Sequence, residues 1–234
     1  MDVELRGTIV NNEDAELLRW WGFSDLTCPG DIASALDNAN GEEVTLLINS
    51  PGGDLISGSE IRSRLLRYPG TTKALVQSHA ASSATVAMSG CDEIAADATS
   101  LICIHNPSAE AYGDHREHQA AAKQLFSVKD AILNAYMGRT KLSRKQLSEL
   151  MDKDIWITAI KAKEYGLVDQ VEGTQQEEAD NAEGVRLLNG AGTFPKITSA
   201  MRERFAAWKA EQTNHVQKKQ GEEKRLALFS ILSK

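Results

Sequence analysis

The chain has 234 residues, 26 Lys and Arg against 33 Asp and Glu, and a net charge of −7. That length suits one sizeable domain with an appendage, and the acidic balance argues against nucleic-acid binding as its main business. No run approaches the roughly 18 apolar residues of a membrane span, Met1–Arg6 carries charge where a secretory leader needs an apolar core, and Cys28, Cys91 and Cys103 lack metal or disulfide spacing, so a soluble protein of a reducing cytoplasm is expected, with no membrane partner.

Residues 3–10 alternate and predict a first strand, followed by a short helix over 14–21 and a second over 29–39, where Ile32, Leu36 and Ala39 share a face. A βα rhythm then sets in: strand 44–49, helix 55–67, strand 73–77, helix 82–89, and strands near 93–95 and 101–104. Alternation at this pace predicts parallel pairing with right-handed crossovers, an α/β fold of repeated βα units. The longest helix is expected over 114–137, opened by an Asp114/Glu117 capping pair and carrying Ala121, Leu125, Val128, Ile132 and Tyr136 at spacings of three and four. Ser143 with Gln146 opens another helix, and Thr158 opens one that Gly166 closes. Composition changes after Val171. We expect a domain over 1–172, a polar linker over 173–196 and a helical tail over 197–234, whose apolar end, Leu226–Leu232, reads as a docking segment.

Four segments carry chemistry when taken together. Val44–Asp54 is an apolar run entering Ser50-Pro51-Gly52-Gly53, which by itself reads as a turn. Gln77–Gly90 sets Ser82 and Ser83 among small residues at a strand-to-helix junction, where the first helical amides lack intrahelical partners. A serine hydroxyl needs a neighbouring base and donors for the oxyanion it creates, and such a junction supplies part of this. Leu101–Pro107 delivers His105 from an apolar strand, and Met151–Ala159 carries Asp152 and Asp154 ahead of Trp156 and a helix start. Singly, each has a blander explanation in packing, turns or solvated faces. His115 and His118, at i and i+3, lack a third ligand and read as a solvated helix face.

In this order the four segments resemble the ClpP family of serine peptidases within the crotonase-like superfamily, over residues 4–172. The resemblance implies a ClpP/crotonase-like fold with a projecting long helix. It implies Ser82 as nucleophile, His105 as general base, Asp154 as the acid orienting it, and the amides of Gly53 and Ser83 as the oxyanion hole. Gly52 and Gly53 would let a substrate strand approach. Ser83 stays open as an alternative to Ser82, and Asp152 as a rival to Asp154. No cofactor or metal is implied.

The resemblance further implies polypeptide substrates and a homo-oligomeric ring or double ring. The partner would be an ATPase unfoldase or, for the phage head-maturation type, capsid or scaffold protein. Asn106 after the histidine, Ser83 after the nucleophile, Trp156 and the appended tail point towards that phage type. The other readings are the housekeeping proteolytic subunit, a crotonase-like enzyme acting on CoA thioesters, and an inactive assembly protein that keeps the fold.

Overall fold

The computed structural model describes residues 1–173 and 197–213. Two compact units divide the chain: Met1–Ala15 with Ser24–Thr193, and Glu16–Phe23 with Phe194–Lys234. The first contains every candidate residue named above.

Its elements in chain order are β1 (Asp2–Ile9), α1 (Asn12–Trp20, which runs into the second unit), β2 (Leu26–Thr27), α2 (Pro29–Ala39), β3 (Val44–Gly53) and α3 (Leu55–Leu65). Then come β4 (Thr72–Ala81), α4 (Ser83–Met88), β5 (Glu93–Asp97), β6 (Leu101–Cys103), α5 (His115–Met137) and α6 (Arg144–Lys153). The unit closes with β7 (Trp156–Thr158), α7 (Ala159–Tyr165) and β8 (Gln170–Glu172). The sheet order is β2-β1-β3-β4-β5-β8, and every neighbouring pair along it is parallel. The expected α/β fold is therefore the one observed. β6 leaves this path, pairing parallel with β4 and antiparallel with β7.

Parallel strands covered on both faces read as apolar runs. In β3, Val44, Leu46 and Ile48 are buried, and Ala74 and Val76 of β4 join them in the core. Truncating Leu46 or Ile48 to alanine should cost about 2–5 kcal/mol, the usual range for a filled site of this kind.

The helix ends match the predicted caps. Asp114 accepts from the Arg116 amide while Glu117 reaches back to the Asp114 amide. Ser143 and Gln146 form the same reciprocal box, Thr158 caps α7, and Gly166 ends it at φ 76°. The apolar stripe of α5 divides in two. Ile132, Leu133 and Tyr136 are buried in the unit's own core, whereas Phe126 is 71% exposed. Ile132 is thus a core residue of this chain and not part of the exposed face of α5.

Two strands run further than their sequence suggests. β3 does not turn at Ser50-Pro51-Gly52-Gly53: it stays extended, pairing Thr8 with Gly52 and Ile9 with Gly53. Ser50 makes this possible, donating its hydroxyl to the Gly7 carbonyl at 2.6 Å and accepting the Gly52 amide at 3.1 Å. β4 extends to Ala81, and a register shift against β3 (Ile48 opposite Val76, then Ser50 opposite Ala80) places extra residues on its side. Such a bulge bends a strand and re-aims the chain beyond it. The first residue past the end of β4 is Ser82.

In the second unit, residues 199–213 form a helix, and Leu17, Met201 and Phe205 make a small core with Trp20 and Ile197. The Trp20 ring lies 5.7 Å from Phe205 and 5.6 Å from Trp208, while Trp21 is 42% exposed. Most of the expected linker and the apolar segment Leu226–Leu232 lie outside the described residues. Among the described residues no helix is long and apolar enough to cross a membrane, and the three cysteines are buried and unbridged.

Candidate active site

Ser82 occupies the single residue between β4 and α4, at φ 54° and ψ −127°. A side-chain-bearing residue avoids this region, which costs on the order of 1–3 kcal/mol and persists only where surroundings impose it. Here they do. The Ser82 amide donates to the Cys103 carbonyl at 3.0 Å, and its own carbonyl accepts the Thr85 amide at 3.0 Å. The Thr85 hydroxyl is shared between the Ser82 carbonyl at 2.5 Å and the Tyr136 hydroxyl at 2.6 Å. A Cβ on Gly52 would sit 2.5 Å from the Ala81 carbonyl oxygen and 2.8 Å from the Ser82 Cβ, so only glycine fits beneath the bend.

The two serines differ sharply. Ser82 is partly exposed, whereas Ser83 is buried and packs against Gly58, its hydroxyl without a hydrogen-bond partner among the described residues. The Ser83 amide begins α4, where a helix has no internal acceptor for it.

Ser82, Ser83, Gly53, His105 and Asn106 line one groove of about 400 Å³. Its apolar wall comes from Leu55, Val86 and the α5 side chains Leu125, Val128, Ile132 and Tyr136. His105 reaches it because β6 pairs with the last residues of β4, with Ala81 opposite Cys103. The nucleophile candidate and the base candidate therefore leave adjacent strands at the same end of the sheet.

Asp154 is placed by a different device. It is the left-handed C-cap of α6 at φ 50°, two residues ahead of β7. The antiparallel ladder sets Leu101 opposite Thr158 and Cys103 opposite Trp156. His105 and Asp154 lie just beyond this ladder, two residues after Cys103 and two before Trp156. One carboxylate oxygen of Asp154, Oδ1, is buried with no hydrogen-bond partner among the described residues, a costly state that a donor such as an imidazole N–H would relieve. No hydrogen bond joins Ser82, His105 and Asp154 among the described residues, which is common in unliganded sites that tighten around substrate. The charge of Asp154 registers on Cys103, whose thiol is pushed up to about 12, mainly by burial and further by this carboxylate.

Asp152 is engaged elsewhere. Its Oδ1 accepts both Lys129 Nζ at 2.6 Å and Asn106 Nδ2 at 2.8 Å. Sequence reasoning saw Asp152 only as a rival for the histidine and Tyr136 only as part of an apolar stripe, and it missed Lys129 and Thr85 altogether. None of these contacts has a local signature, since each joins elements far apart in the chain. His115 and His118 are exposed on α5, and no cluster of three metal-type side chains occurs among the described residues.

Comparison with known proteins gives a consistent result. The sequence model of the Clp protease family matches residues 32–175. ATP-dependent Clp protease proteolytic subunit 1 of Streptomyces avermitilis is 33% identical over 131 residues, which are 55% of this chain and 60% of that protein. The subunit 1 of Chlamydia abortus is 29% identical over 168 residues, 70% of this chain and 81% of that protein. The proteolytic subunit of Chaetosphaeridium globosum is 30% identical over 133 residues, 56% of this chain and 66% of that protein. A solved structure of a ClpP1 mutant from Listeria monocytogenes superimposes with a TM-score of 0.60 at 19% identity, over 74% of this chain and 92% of that one. That last likeness establishes the fold.

Proposed function

Since this chain belongs to the Clp protease family, we propose that it is a serine endopeptidase with Ser82, His105 and Asp154 as its catalytic residues. In this mechanism Ser82 Oγ attacks the peptide carbonyl carbon while His105 takes the hydroxyl proton. The negative oxygen that forms is met by the amides of Gly53 and Ser83. His105 then returns the proton to the departing amine, leaving an acyl group on Ser82, and the same residues pass a water proton in reverse to release the acid. Asp154 fixes the imidazole tautomer and stabilises its positive charge. No metal ion or organic cofactor enters these steps.

The observation that carries the assignment is the shared placement of three features. A strained, partly exposed Ser82 and His105 line one groove, and a buried unpaired Asp154 oxygen lies two residues before β7, the strand that pairs with the one leading to His105. Ser82 is preferred to Ser83 because the latter is buried. Asp154 is preferred to Asp152 because the latter already holds Lys129 and Asn106. A fluorophosphonate probe tests the reading: covalent labelling mapped to Ser82 supports it, and a well-folded protein that resists labelling points to an inactive assembly protein.

The groove would accept an extended peptide beside Gly52 and Gly53, with an apolar side chain against Leu125 and Val128. The exposed part of α5 around Phe126 supports assembly through that helix into a ring or double ring enclosing Ser82. Phe126→Asp with Leu125→Asp should dissociate the assembly in sedimentation velocity, and an unaltered oligomer would overturn this contact.

For biological role we favour prohead maturation, by cutting of scaffold or capsid protein, because Asn106, Ser83, Trp156 and the appended tail depart from the housekeeping pattern. The second reading is a proteolytic subunit fed by an ATPase unfoldase, supported by the curated relatives named as ATP-dependent. Degradation of a folded substrate separates the two. Cleavage without nucleotide supports the first, and strict dependence on an added unfoldase and ATP supports the second.

A further inference from the structure

Within the peptidase reading above, on which this step rests, we infer that Asp152 is a positioning residue: bridging Lys129 of α5 to Asn106, it fixes the segment that carries His105. β6 ends at Cys103, and no regular structure holds the chain from Ile104 until α5 begins at His115. A general base on such a segment needs an anchor, because reacting groups misplaced by about 1 Å can lose roughly 100-fold in rate. The residue next to the base is the one that is tied. Asn106 donates its side-chain amide to Asp152 Oδ1 at 2.8 Å. The same oxygen accepts the Lys129 ammonium at 2.6 Å, and the Lys129 side chain is only 16% exposed.

The geometry divides the labour between two carboxylates at one helix end. α6 closes with Asp152 in its last turn and Asp154 at its cap. His105 lies two residues past the last β6 residue and Asp154 two residues before the first β7 residue, and the neighbour of His105, Asn106, is bonded to Asp152. One helix end thus addresses two consecutive residues of the base segment, and Lys129 ties that end to α5. The Lys129 ammonium and the Asn106 amide hold the Asp152 carboxyl below its usual range, so the bridge stays charged at neutral pH.

A half-exposed ion pair of this kind adds little stability. This separates positioning from a merely structural role. Loss of the bridge should lower turnover without unfolding anything.

The experiment uses the full chain with Asn106→Ala, Asp152→Ala, Lys129→Met and the Asp152→Ala/Lys129→Met double variant, with Lys129→Arg as the conservative control. We expect kcat on a fluorogenic peptide to fall roughly tenfold to 100-fold with KM and the melting midpoint nearly unchanged. The double variant should be no worse than its parts, and Lys129→Arg should restore most activity. In ring-labelled protein, the His105 imidazole nitrogen shifts should move in Asn106→Ala and Asp152→Ala and return in Lys129→Arg. Unchanged kcat together with unchanged His105 shifts, or losses that simply track melting, would overturn the proposal. If the unsubstituted protein neither cleaves peptide nor takes the fluorophosphonate, the peptidase reading fails by itself. The His105 shifts then decide whether the bridge holds the segment.

Discussion

The two halves of the candidate site are built in different ways. The Ser82 half is made of backbone: a bulged strand, a residue forced to φ 54°, a glycine against which no Cβ fits, and carbonyl and amide bonds that close the bend. The His105 and Asp154 half lies just past the ends of β6 and α6, where side-chain bonds join Asn106, Asp152 and Lys129. Main-chain bonds within a sheet are fixed once the fold forms. Side-chain ties are individually weak, so the second half is where small changes should alter rate without altering stability.

The largest expected effect breaks the backbone half. Ser82→Ala should remove activity by on the order of 10⁶-fold in kcat and abolish fluorophosphonate labelling, while Ser83→Ala keeps substantial activity and labelling. A dead Ser83→Ala beside an active Ser82→Ala would move the nucleophile by one residue. Next is Asp154→Asn, which should cost up to about 10⁴-fold in kcat through the wrong imidazole tautomer, with secondary structure intact by circular dichroism. If Asp154→Asn turned over peptide as fast as the unsubstituted chain, the side-chain half would lose its orienting acid.

Gly52→Ala should reveal the rigidity of the bend. At φ 87°, with its new Cβ 2.5 Å from the Ala81 carbonyl oxygen, it must displace Ser82 or strain the strand. A loss of about 1–3 kcal/mol in denaturant unfolding is expected, together with a fall in kcat. Full stability and activity would mean that the close approach is not needed.

A smaller effect concerns pH. The Cys91 and Cys103 thiols are both raised from 9.0 to about 12 in the folded protein, chiefly by burial. The unfolded chain therefore ionises first, binds fewer protons than the native state between these values, and gains relative stability as pH rises. Native stability from these groups should be complete below about pH 9 and decline through about pH 12. Urea midpoints measured across that window should show a decline that Cys91→Ala flattens. Smallest of all, Asp154→Asn should lower the pH at which Cys103 reacts with a thiol reagent, because a neighbouring negative charge has been removed.

Much of this protein was legible in one dimension because its signals are local. The caps at Asp114, Ser143, Thr158 and Gly166 need only a few residues each, and the apolar runs of β3 and β4 arise from being covered on both faces. Ser82, His105, Asp154, Gly53 and Ser83 were singled out by motif, and four of these five candidates line the groove. The sequence could not say that Ser50–Gly53 remains a strand, since that depends on Gly7 and Ile9 of β1 more than forty positions away. Nor could it show β7, whose three residues take their conformation from pairing with β6. Asp152 illustrates the limit most clearly. In sequence it is a rival, two residues away, to the acid that the motif assigns to the histidine. Only the packing of α5 and α6 brings Lys129 and Asn106 to it and leaves the Asp154 Oδ1 without a hydrogen-bond partner among the described residues, because which partner a charged side chain meets is set by long-range geometry and not by its neighbours in the chain.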